Sequence, residues 1–332
     1  MNIAINGFGR IGRMAMRILA QRDVNVVAIN DITDTKTLAH LLIHDSAQGK
    51  FSGTVSYDEN SLTINNKKIP VYAIRNPQEL PWKHLDVDVV IESTGLFTKR
   101  EGAQKHLEAG AKAVMISAPS NDADIVIVKG INENTLTKDH KIISNASCTT
   151  NCLAPIVKVL DDNFGVVKGF MTTVHAYTAD QRLQDSPHKD LRRARAAAVN
   201  IVPTSTGAAK AVAQVLPHLK GKLDGIALRV PTPVGSITDF VCEVQKATTV
   251  QAIKELLNNV AQHHLQGVIE YSEDPLVSSD IVGNAHSCVV DGTLTNVIDG
   301  NLVKIVAWYD NEWGYANRLI DITLLVAHKQ RT

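Results

Sequence analysis

The chain has 332 residues, of which 44% are hydrophobic and 20% are charged, an ordinary composition for a globular protein long enough for two domains. Its 34 basic and 34 acidic residues give a formal net charge of zero, which argues against nucleic acid or an anionic membrane as the main partner. No apolar run approaches the roughly 20 residues that a helix needs to span a bilayer, so we predict no membrane association.

The first predicted element is a short apolar strand over residues 3–5, and because strand-like sequence begins at once we expect no signal peptide. Gly7, Gly9 and Gly12 follow in a G-x-G-x-x-G pattern, and residues 15–21 continue with helical spacing. Glycines between a strand and a helix permit a tight turn, close approach of a pyrophosphate and close packing of helix on strand. Three glycines at this spacing also arise by chance, so the pattern needs support from the residues that follow.

An acidic residue, Asp31, ends the second predicted strand, which runs from Val24 to Asn30. An acid about 20 residues beyond the last glycine can accept hydrogen bonds from the adenosine ribose, and its charge disfavours a 2′-phosphate. The alternative is an acidic turn residue that contacts no ligand. We predict a dinucleotide site that favours NAD over NADP.

Further buried strands are predicted over residues 87–92 and 113–117. In a doubly wound sheet, ligands bind at the carboxyl ends of the strands. Thr94 and Ser117 lie at these two ends, so we expect them on the nicotinamide side of the cofactor. Arg75 follows another predicted strand and either flanks the adenine or is an ordinary solvated arginine.

The segment from Ser144 to Cys152 is predicted to be a polar turn between a short strand and a helix. Ser147 is a candidate N-cap, which places Cys148 where free N–H groups and the positive end of the helix dipole meet. We expect a thiol there to lose its proton more easily and to act as a nucleophile. The alternative is a buried structural cysteine. With four scattered cysteines the chain has no disulfide framework, which favours a reducing cytoplasm.

The second half of the chain is rich in long strands. These strands are predicted at residues 166–177, 226–230, 236–244, 285–290 and 302–309, with helices at 207–216 and 250–264. Few crossover helices separate them, which indicates a mixed or antiparallel sheet. We therefore predict an α/β protein: a Rossmann-type parallel-sheet NAD-binding domain (1–147, completed by a helix at about 315–330) and an α+β catalytic domain with a mixed, largely antiparallel sheet (148–314).

Residues 178–205 form a polar connection that is unusually long for a compact domain. It contains a basic run from Lys189 to Arg195, which is either a solvated surface or, in an enzyme that handles phosphate, a source of bidentate arginine contacts. We expect this segment to be functional or to lie at an interface.

A cysteine nucleophile combined with a nicotinamide site suggests oxidation of an aldehyde through a thioester. Such a reaction needs a base near the thiol, and His175, at the end of a hydroxyl-rich strand, is the best candidate among 12 histidines. A histidine in a strand is more often structural, but the presence of Cys148 favours the catalytic role. The Cys148 N–H is a candidate oxyanion donor.

Several segments of the chain resemble phosphorylating glyceraldehyde-3-phosphate dehydrogenase, and the resemblance runs essentially from end to end. The segments that carry it are residues 6–12, 144–151, 172–178, 190–195, 203–210 and 308–315. The resemblance implies that Cys148 is the nucleophile and that His175 activates its thiol. It also implies a homotetramer in which residues 178–200 reach the cofactor of a neighbouring subunit.

The resemblance implies two phosphate sites and a set of cofactor contacts. The site for the C3 phosphate of the substrate would contain Thr178, Asp180 and Arg229. The site for inorganic phosphate would contain Ser147, Thr149, Thr206 and Gly207, with Arg193 shared nearby, although Thr206 and Gly207 could be only a helix cap. Asn311 would hold the nicotinamide carboxamide. The other cofactor positions would be Gly7, Gly9, Arg10, Ile11, Gly12, Asp31, Arg75, Thr94 and Ser117.

One position departs from the pattern common in NAD-specific members, which have a leucine where this chain has Ser186, before Pro187. A small polar residue there is similar to members that also accept NADP. Because Asp31 still disfavours a 2′-phosphate, we predict NAD preference with weak NADP use.

The resemblance predicts oxidative phosphorylation of D-glyceraldehyde 3-phosphate to 1,3-bisphosphoglycerate with reduction of NAD. Erythrose-4-phosphate dehydrogenase is the nearest alternative, but it differs around the segments that here read 175–178 and 206–207. Aspartate-semialdehyde dehydrogenase shares the Cys and His chemistry without the end-to-end pattern. A non-catalytic NAD-binding regulator or adhesin is the alternative from another class, and the retained Cys148 and His175 argue against it as the main role.

Overall fold

The computed structural model describes residues 1–22 and 24–331. The chain divides into two compact units, of which the first comprises Met1–Ser147 and the chain from Ala316 onward, and the second comprises Cys148–Tyr315. In the described part of the chain, no helix has both the length and the apolar character required to cross a bilayer.

The first unit is built on a sheet to which its described residues contribute nine strands. The strands are β1 (Asn2–Asn6), β2 (Asn25–Asn30), β3 (Val55–Asp58), β4 (Ser61–Ile64), β5 (Lys67–Tyr72), β6 (Val89–Glu92), β7 (Ala113–Ile116), β8 (Ile125–Val126) and β9 (Ile142–Ser144). The helices that belong wholly to this unit are α1 (Arg10–Leu19), α2 (Thr35–Ile43) and α3 (Arg100–Glu108).

The order of these strands across the sheet is β3-β4-β5-β2-β1-β6-β7-β9-β8. From β5 through β8 all neighbours are parallel, whereas β3, β4 and β5 form antiparallel hairpins. β6 and β7 are buried along their whole length, which explains their nearly continuous apolar sequence. The chain leaves β1 in one direction and later returns to β6 on its other side, so the ends of β1 and β6 mark the switch point where such sheets bind ligands. The predicted Rossmann-type sheet is confirmed.

The second unit contains a sheet of eight strands among its described residues. The strands are β10 (Val166–Ala176), β11 (Val202–Ser205), β12 (Leu223–Val230), β13 (Ser236–Val244), β14 (Ile269–Ser272), β15 (Cys288–Asp291), β16 (Asn296–Ile298) and β17 (Leu302–Tyr309). The helices are α4 (Cys148–Phe164), α5 (Ala208–Val215) and α6 (Val250–Gln262), and α7 (Trp313–Arg331) begins here and continues into the first unit.

The order in this sheet is β11-β12-β10-β13-β17-β15-β14, with β16 paired to β17. The pairs β10/β12 and β14/β15 are parallel and the remaining pairs are antiparallel, so the predicted mixed, largely antiparallel sheet is confirmed. Along β13 every second residue is buried, as expected for a sheet that is covered on one face. The strands β11, β14 and β16 were not predicted, because each is only three or four residues long.

Ion pairs attach α7 to the first unit. Arg331 near the C-terminus contacts the buried carboxylate of Asp88 at 2.6 Å, and Asp321 contacts Arg22 at 3.1 Å and Lys129 at 2.8 Å. The first unit is therefore discontinuous in sequence, with its last helix supplied by the C-terminal segment.

Candidate active site

Cys148 is the first residue of α4, and the turn before it contains Ala146 in the left-handed region at φ 54°. The thiol is therefore presented at the amino end of a helix, as the sequence predicted. The side chain is partly exposed, whereas Cys152, one turn further along the same helix, is fully buried.

His175 lies next to the end of β10, and its Nε2 atom is 3.4 Å from the Cys148 sulfur. Its Nδ1 atom is 2.7 Å from the carbonyl oxygen of Ala176. In the tautomer in which Nδ1 donates to this carbonyl oxygen, the lone pair of Nε2 faces the sulfur. This tautomer is the one that can take a proton from the thiol.

Arg229 lies directly beside the imidazole because β10 and β12 pair in parallel with His175 opposite Arg229. Its Nη1 atom donates to the same Ala176 carbonyl at 2.9 Å and is in close contact with Nδ1 of the ring. Burial, followed by the positive charges of Arg229 and Arg193, lowers the pKa of His175 to about 3. The imidazole is therefore neutral near pH 7.

Burial also has the largest effect on the pKa of the Cys148 thiol. It raises the pKa of Cys148, and the opposing contributions from Arg229 and from hydrogen bonds with Thr149 do not compensate. The expectation that the helix start alone would ease deprotonation is therefore wrong, because burial outweighs the favourable charges.

Tyr309 and Thr173 support this pair, and sequence reasoning missed both. The Tyr309 hydroxyl is 2.8 Å from the hydroxyls of Thr149 and of Thr173, and its ring meets the His175 ring edge-on with centroids 5.9 Å apart. Burial keeps the pKa of Tyr309 well above its usual value, so the hydroxyl stays protonated. Thr173 lies two residues before His175, and alternate residues of a strand point to the same face. This spacing in the sequence could have indicated that Thr173 lies beside His175.

Two of the predicted phosphate-binding residues contact each other. Asp180 forms an ion pair with Arg193, whose Nε atom also donates to Thr204 at 2.9 Å. Burial alone would raise the pKa of Asp180, but Arg193 and His188 lower it, so this carboxylate is charged. Asp180 therefore helps to orient Arg193, and its own contact with the substrate stays a prediction.

The other predicted phosphate-site residues lie at turns and helix starts. The carbonyl of Thr178 accepts from the Gln181 N–H at 2.9 Å, forming the turn that leads to Asp180. The Thr206 hydroxyl accepts from the N–H of Ala208 at 3.2 Å, so the alternative role as a helix cap is present in the structure.

Gly207 precedes α5, and a Cβ atom there would meet no other atom within 4 Å. The start of α5 adjoins the start of α4, because the Thr150 hydroxyl donates to the Ala208 carbonyl at 3.3 Å. Two helix amino ends, each suited to bind an anion, are thus adjacent. Ser147 directly precedes Cys148 in sequence, and its contribution stays a prediction.

Asn311 follows β17, and its side-chain oxygen is fixed by two donors. The Gly235 N–H donates to Oδ1 at 3.2 Å and the Ser236 hydroxyl donates to it at 3.0 Å. With Oδ1 occupied in this way, the NH2 group is the part of the side chain suited to recognise a carboxamide oxygen.

The first unit contains a pocket at the ends of β1, β2 and β6. Its lining includes Asn6, Gly7, Gly9, Asn30, Asp31, Ile32, Ile74, Arg75, Ser93, Thr94, Leu96 and Phe97. Gly7 has φ 91°, and a Cβ on Gly12 would lie 2.1 Å from the Gly7 carbonyl oxygen, so the turn requires both glycines. A Cβ on Gly9 would meet no other atom within 4 Å, which leaves that space for a ligand. These residues fit a dinucleotide.

Asp31 is held at the end of β2 by the N–H groups of Phe8, at 2.7 Å, and Thr33, at 2.9 Å. It shares the pocket with Arg75 and Thr94. The part of the cofactor that Thr94 contacts stays a prediction, but the shared pocket brings Thr94 closer to the expected ribose contact of Asp31 than the sequence indicated.

Ser117 lies beyond the end of the neighbouring strand β7, with its N–H donating to the Glu92 carbonyl at 3.0 Å. Arg10 and Ile11 open helix α1, and the Arg10 side chain forms an ion pair with Asp45 at 2.6 Å. Arg10 is thus suited to contact a pyrophosphate through its backbone N–H at the helix start.

Comparisons with known proteins agree with this geometry. Residues 1–100 match the family model described as the NAD binding domain of glyceraldehyde 3-phosphate dehydrogenase, and residues 147–311 match the model of its C-terminal domain. The chain is similar to the glyceraldehyde-3-phosphate dehydrogenases of Geobacillus stearothermophilus, at 56% identity over 331 residues, and Mycobacterium avium, at 57% over 334 residues. It is 55% identical over 332 residues to glyceraldehyde-3-phosphate dehydrogenase 2 of Streptomyces avermitilis.

These alignments cover 99% of both chains for the Streptomyces avermitilis and Geobacillus stearothermophilus proteins and 98% of both for the Mycobacterium avium protein. The predicted NAD-dependent dehydrogenase with its NAD-binding domain is confirmed. The chain belongs to the glyceraldehyde-3-phosphate dehydrogenase family.

Proposed function

We propose that this chain converts glyceraldehyde 3-phosphate and inorganic phosphate to 1,3-bisphosphoglycerate, with NAD as the hydride acceptor. The observation that carries the proposal is the 3.4 Å contact between the Cys148 sulfur and the Nε2 atom of His175. In this proposal residues 1–147, completed by the C-terminal helix, bind NAD, and residues 148–314 carry out the catalysis.

The first step is addition of the Cys148 sulfur to the aldehyde carbon. The carbon–sulfur bond forms while His175 Nε2 takes the thiol proton and then gives it to the former carbonyl oxygen, which becomes the hydroxyl of a hemithioacetal and leaves the imidazole neutral. The Cys148 N–H at the start of α4 stabilises charge on that oxygen. His175 Nε2 then takes the hydroxyl proton as this carbon is oxidised to a thioester on Cys148, and bound NAD would supply the hydride acceptor.

The second step is attack by inorganic phosphate on the thioester carbon. The carbon–sulfur bond breaks, the acyl phosphate leaves, and the Cys148 thiolate regains its proton from His175. Arg193 and Arg229 balance the anionic charge of the phosphate groups. The hydroxyls of Ser147, Thr149 and Thr206 supply neutral donors, with Gly207 at the adjoining helix start.

The decisive assay is formation of NADH from glyceraldehyde 3-phosphate, measured with and without inorganic phosphate. We expect phosphate to accelerate turnover strongly and Cys148→Ser to abolish it. Erythrose-4-phosphate as the better substrate, without acceleration by phosphate, would favour the alternative dehydrogenase. NAD binding without any turnover would favour a non-catalytic role.

We also propose a homotetramer. In the single chain, large apolar side chains are exposed both on the segment after β10 and on one sheet face. They include Leu183 (81% exposed), Leu191 (80%), Val199 (77%) and Phe170 (71%). Exposed apolar surface of this kind is typical of an interface, and further copies of the chain are the proposed partner. Light scattering behind size exclusion should give four times the 36.1 kDa chain mass, and a monomer would contradict the proposal.

A cytoplasmic location accompanies this function. The catalytic thiol must stay reduced, and a reducing compartment provides that condition. Activity measured in separated cell fractions tests it, with recovery in the cytosolic fraction expected.

A further inference from the structure

A buried polar network lies beneath the dinucleotide pocket, and the carboxylate of Glu92 is at its centre. Glu92 ends β6 with only 2% of its surface exposed. One carboxylate oxygen accepts from the Thr94 N–H at 2.8 Å and from the Thr94 hydroxyl. The other accepts from Asn6 Nδ2 at 2.6 Å and contacts His106 Nε2 at 3.0 Å. The proposed reaction uses none of these contacts.

The direction of the histidine contact is fixed by Trp82. Its indole Nε1, which can only donate, lies 2.9 Å from Nδ1 of His106. Nδ1 must therefore hold a lone pair, so the ring proton is on Nε2 and is donated to Glu92. Both Trp82 and His106 are completely buried.

The backbone of Ile74 determines which end of the Asn6 side-chain amide faces Glu92. The Ile74 N–H donates to Asn30 Oδ1 at 2.9 Å, and Asn30 Nδ2 donates to the Ile74 carbonyl at 2.9 Å. Asn30 Nδ2 also donates to Asn6 Oδ1 at 2.6 Å, so the Nδ2 group of Asn6 must face Glu92.

The Thr94 hydroxyl is oriented in the same way. Its oxygen accepts from the Leu96 N–H at 3.0 Å, which directs the hydroxyl proton to Glu92. All four contacts of Glu92 are therefore made to donors, and only an ionised carboxylate satisfies all of them.

We propose that Glu92 is a positioning residue for the adenosine part of NAD. It acts through Thr94 and Asn6, which line the pocket, and through Asn6 it also fixes Asn30 and the segment at Ile74. The ends of β1, β2 and β6 are thereby held in one arrangement before the ligand arrives. This inference rests on the proposed location of the cofactor site, and it adds a residue that the ligand does not touch.

The test begins with Glu92→Gln, which keeps the size and removes the charge. Either orientation of the new amide leaves an NH2 group facing a fixed donor. We expect the dissociation constants of NAD and of ADP-ribose, measured by calorimetry, to rise on the order of tenfold, as for a lost buried hydrogen bond. The KM for glyceraldehyde 3-phosphate and the kcat at saturating NAD should not change.

A swap variant separates positioning from general damage. Asn6→Asp alone brings two carboxylates into contact and should weaken NAD binding. In the double variant Asn6→Asp, Glu92→Gln, the new carboxylate at position 6 can accept from Asn30, from the new amide at position 92 and from His106, whose Nε2 atom lies 3.4 Å from the amide nitrogen that is replaced. We therefore expect binding and thermal stability to recover towards wild type. Recovery of folding in the double variant supports the proposal even where the single variant is unstable.

Glu133→Gln is the matched control, because Glu133 also accepts a backbone N–H, from Gly130 at 2.8 Å, but lies outside the pocket. If Glu92→Gln bound NAD with wild-type affinity, or if the two substitutions weakened NAD binding additively in the double variant, the proposed role of Glu92 would be overturned and the cofactor site would stand. Failure of the wild-type chain to bind NAD would instead refute the cofactor site together with this inference.

Discussion

Removing the charge of Arg229 tests the electrostatic account of the catalytic pair most directly. Arg229 is in contact with the His175 ring and is one of the causes that lower the His175 pKa. It also lowers the pKa of Cys148 against the larger effect of burial. In Arg229→Met, both groups should therefore bind protons more tightly than in wild type.

The size of the effect follows from Coulomb's law. A unit charge at about 4 Å contributes roughly 4 kcal/mol at an effective dielectric constant of 20, which corresponds to roughly a thousandfold in proton affinity. This is an upper value, because solvent and mobile ions screen charges more strongly than a fixed dielectric constant describes. Burial is the first cause of the His175 shift and is unaltered by the substitution, so the pKa of His175 should rise but stay below its usual value.

The assay is the rate of iodoacetamide alkylation of Cys148 as a function of pH, with the buried Cys152 unreactive. We expect the midpoint to move to higher pH in Arg229→Met. Lys168→Met is the control, since Lys168 is an exposed cation on the same strand as His175, paired with Glu243 at 3.1 Å. An unchanged or lower midpoint in Arg229→Met would refute the assignment of Arg229 as the cation that acts on this pair.

Three further predictions concern the base, the cofactor and the C-terminal helix. His175→Asn should lower kcat about 10²–10⁴-fold in the NADH assay, and a smaller loss would contradict its role as base. Asp31→Asn should raise kcat/KM with NADP relative to NAD, because it removes a carboxylate that disfavours a 2′-phosphate; an unchanged ratio would exclude Asp31 from the discrimination. Asp88→Asn should lower the free energy of unfolding by about 2–3 kcal/mol in urea titrations near pH 7, because it removes charged hydrogen bonds. Burial alone would raise the pKa of Asp88, but Arg331 and Lys112 lower it, so its stabilisation is present above about pH 4 and is lost as pH falls through the lowered pKa. The acid sensitivity of unfolding should therefore be smaller in Asp88→Asn, and an identical pH dependence would contradict this reasoning.

The features that the sequence predicted well are local. The glycine pattern, Asp31 and the turn before Cys148 each lie within a short stretch whose geometry follows from residue type and spacing. The long strands were found for the same reason, since their apolar content depends only on neighbours along the chain. Short strands such as β16, with three residues, carry too little pattern to be recognised.

The features that were missed depend on residues far apart in sequence. Tyr309 meets Thr149 across 160 positions, and Glu92 meets Asn6 across 86. Glu92 itself appears in the sequence only as the polar end of an apolar strand. The error in the expected thiol reactivity has the same origin, because burial of Cys148 depends on tertiary packing that no local pattern reports.

The register of β10 and β12 makes the basicity of His175 depend on ligand charge. Paired strands place Arg229 opposite His175, and the hydrogen bond from Nη1 to the Ala176 carbonyl holds the cation beside the ring. A bound anion would offset the charge of Arg229. A substrate phosphate at Arg229 should therefore raise the proton affinity of His175 when the aldehyde is in place, whereas an uncharged aldehyde should leave the base weak. Comparing kcat for glyceraldehyde with and without added phosphite, as a free anion, measures this coupling. Acceleration by phosphite in wild type that is absent in Arg229→Met is expected, and equal acceleration in both would place the coupling elsewhere.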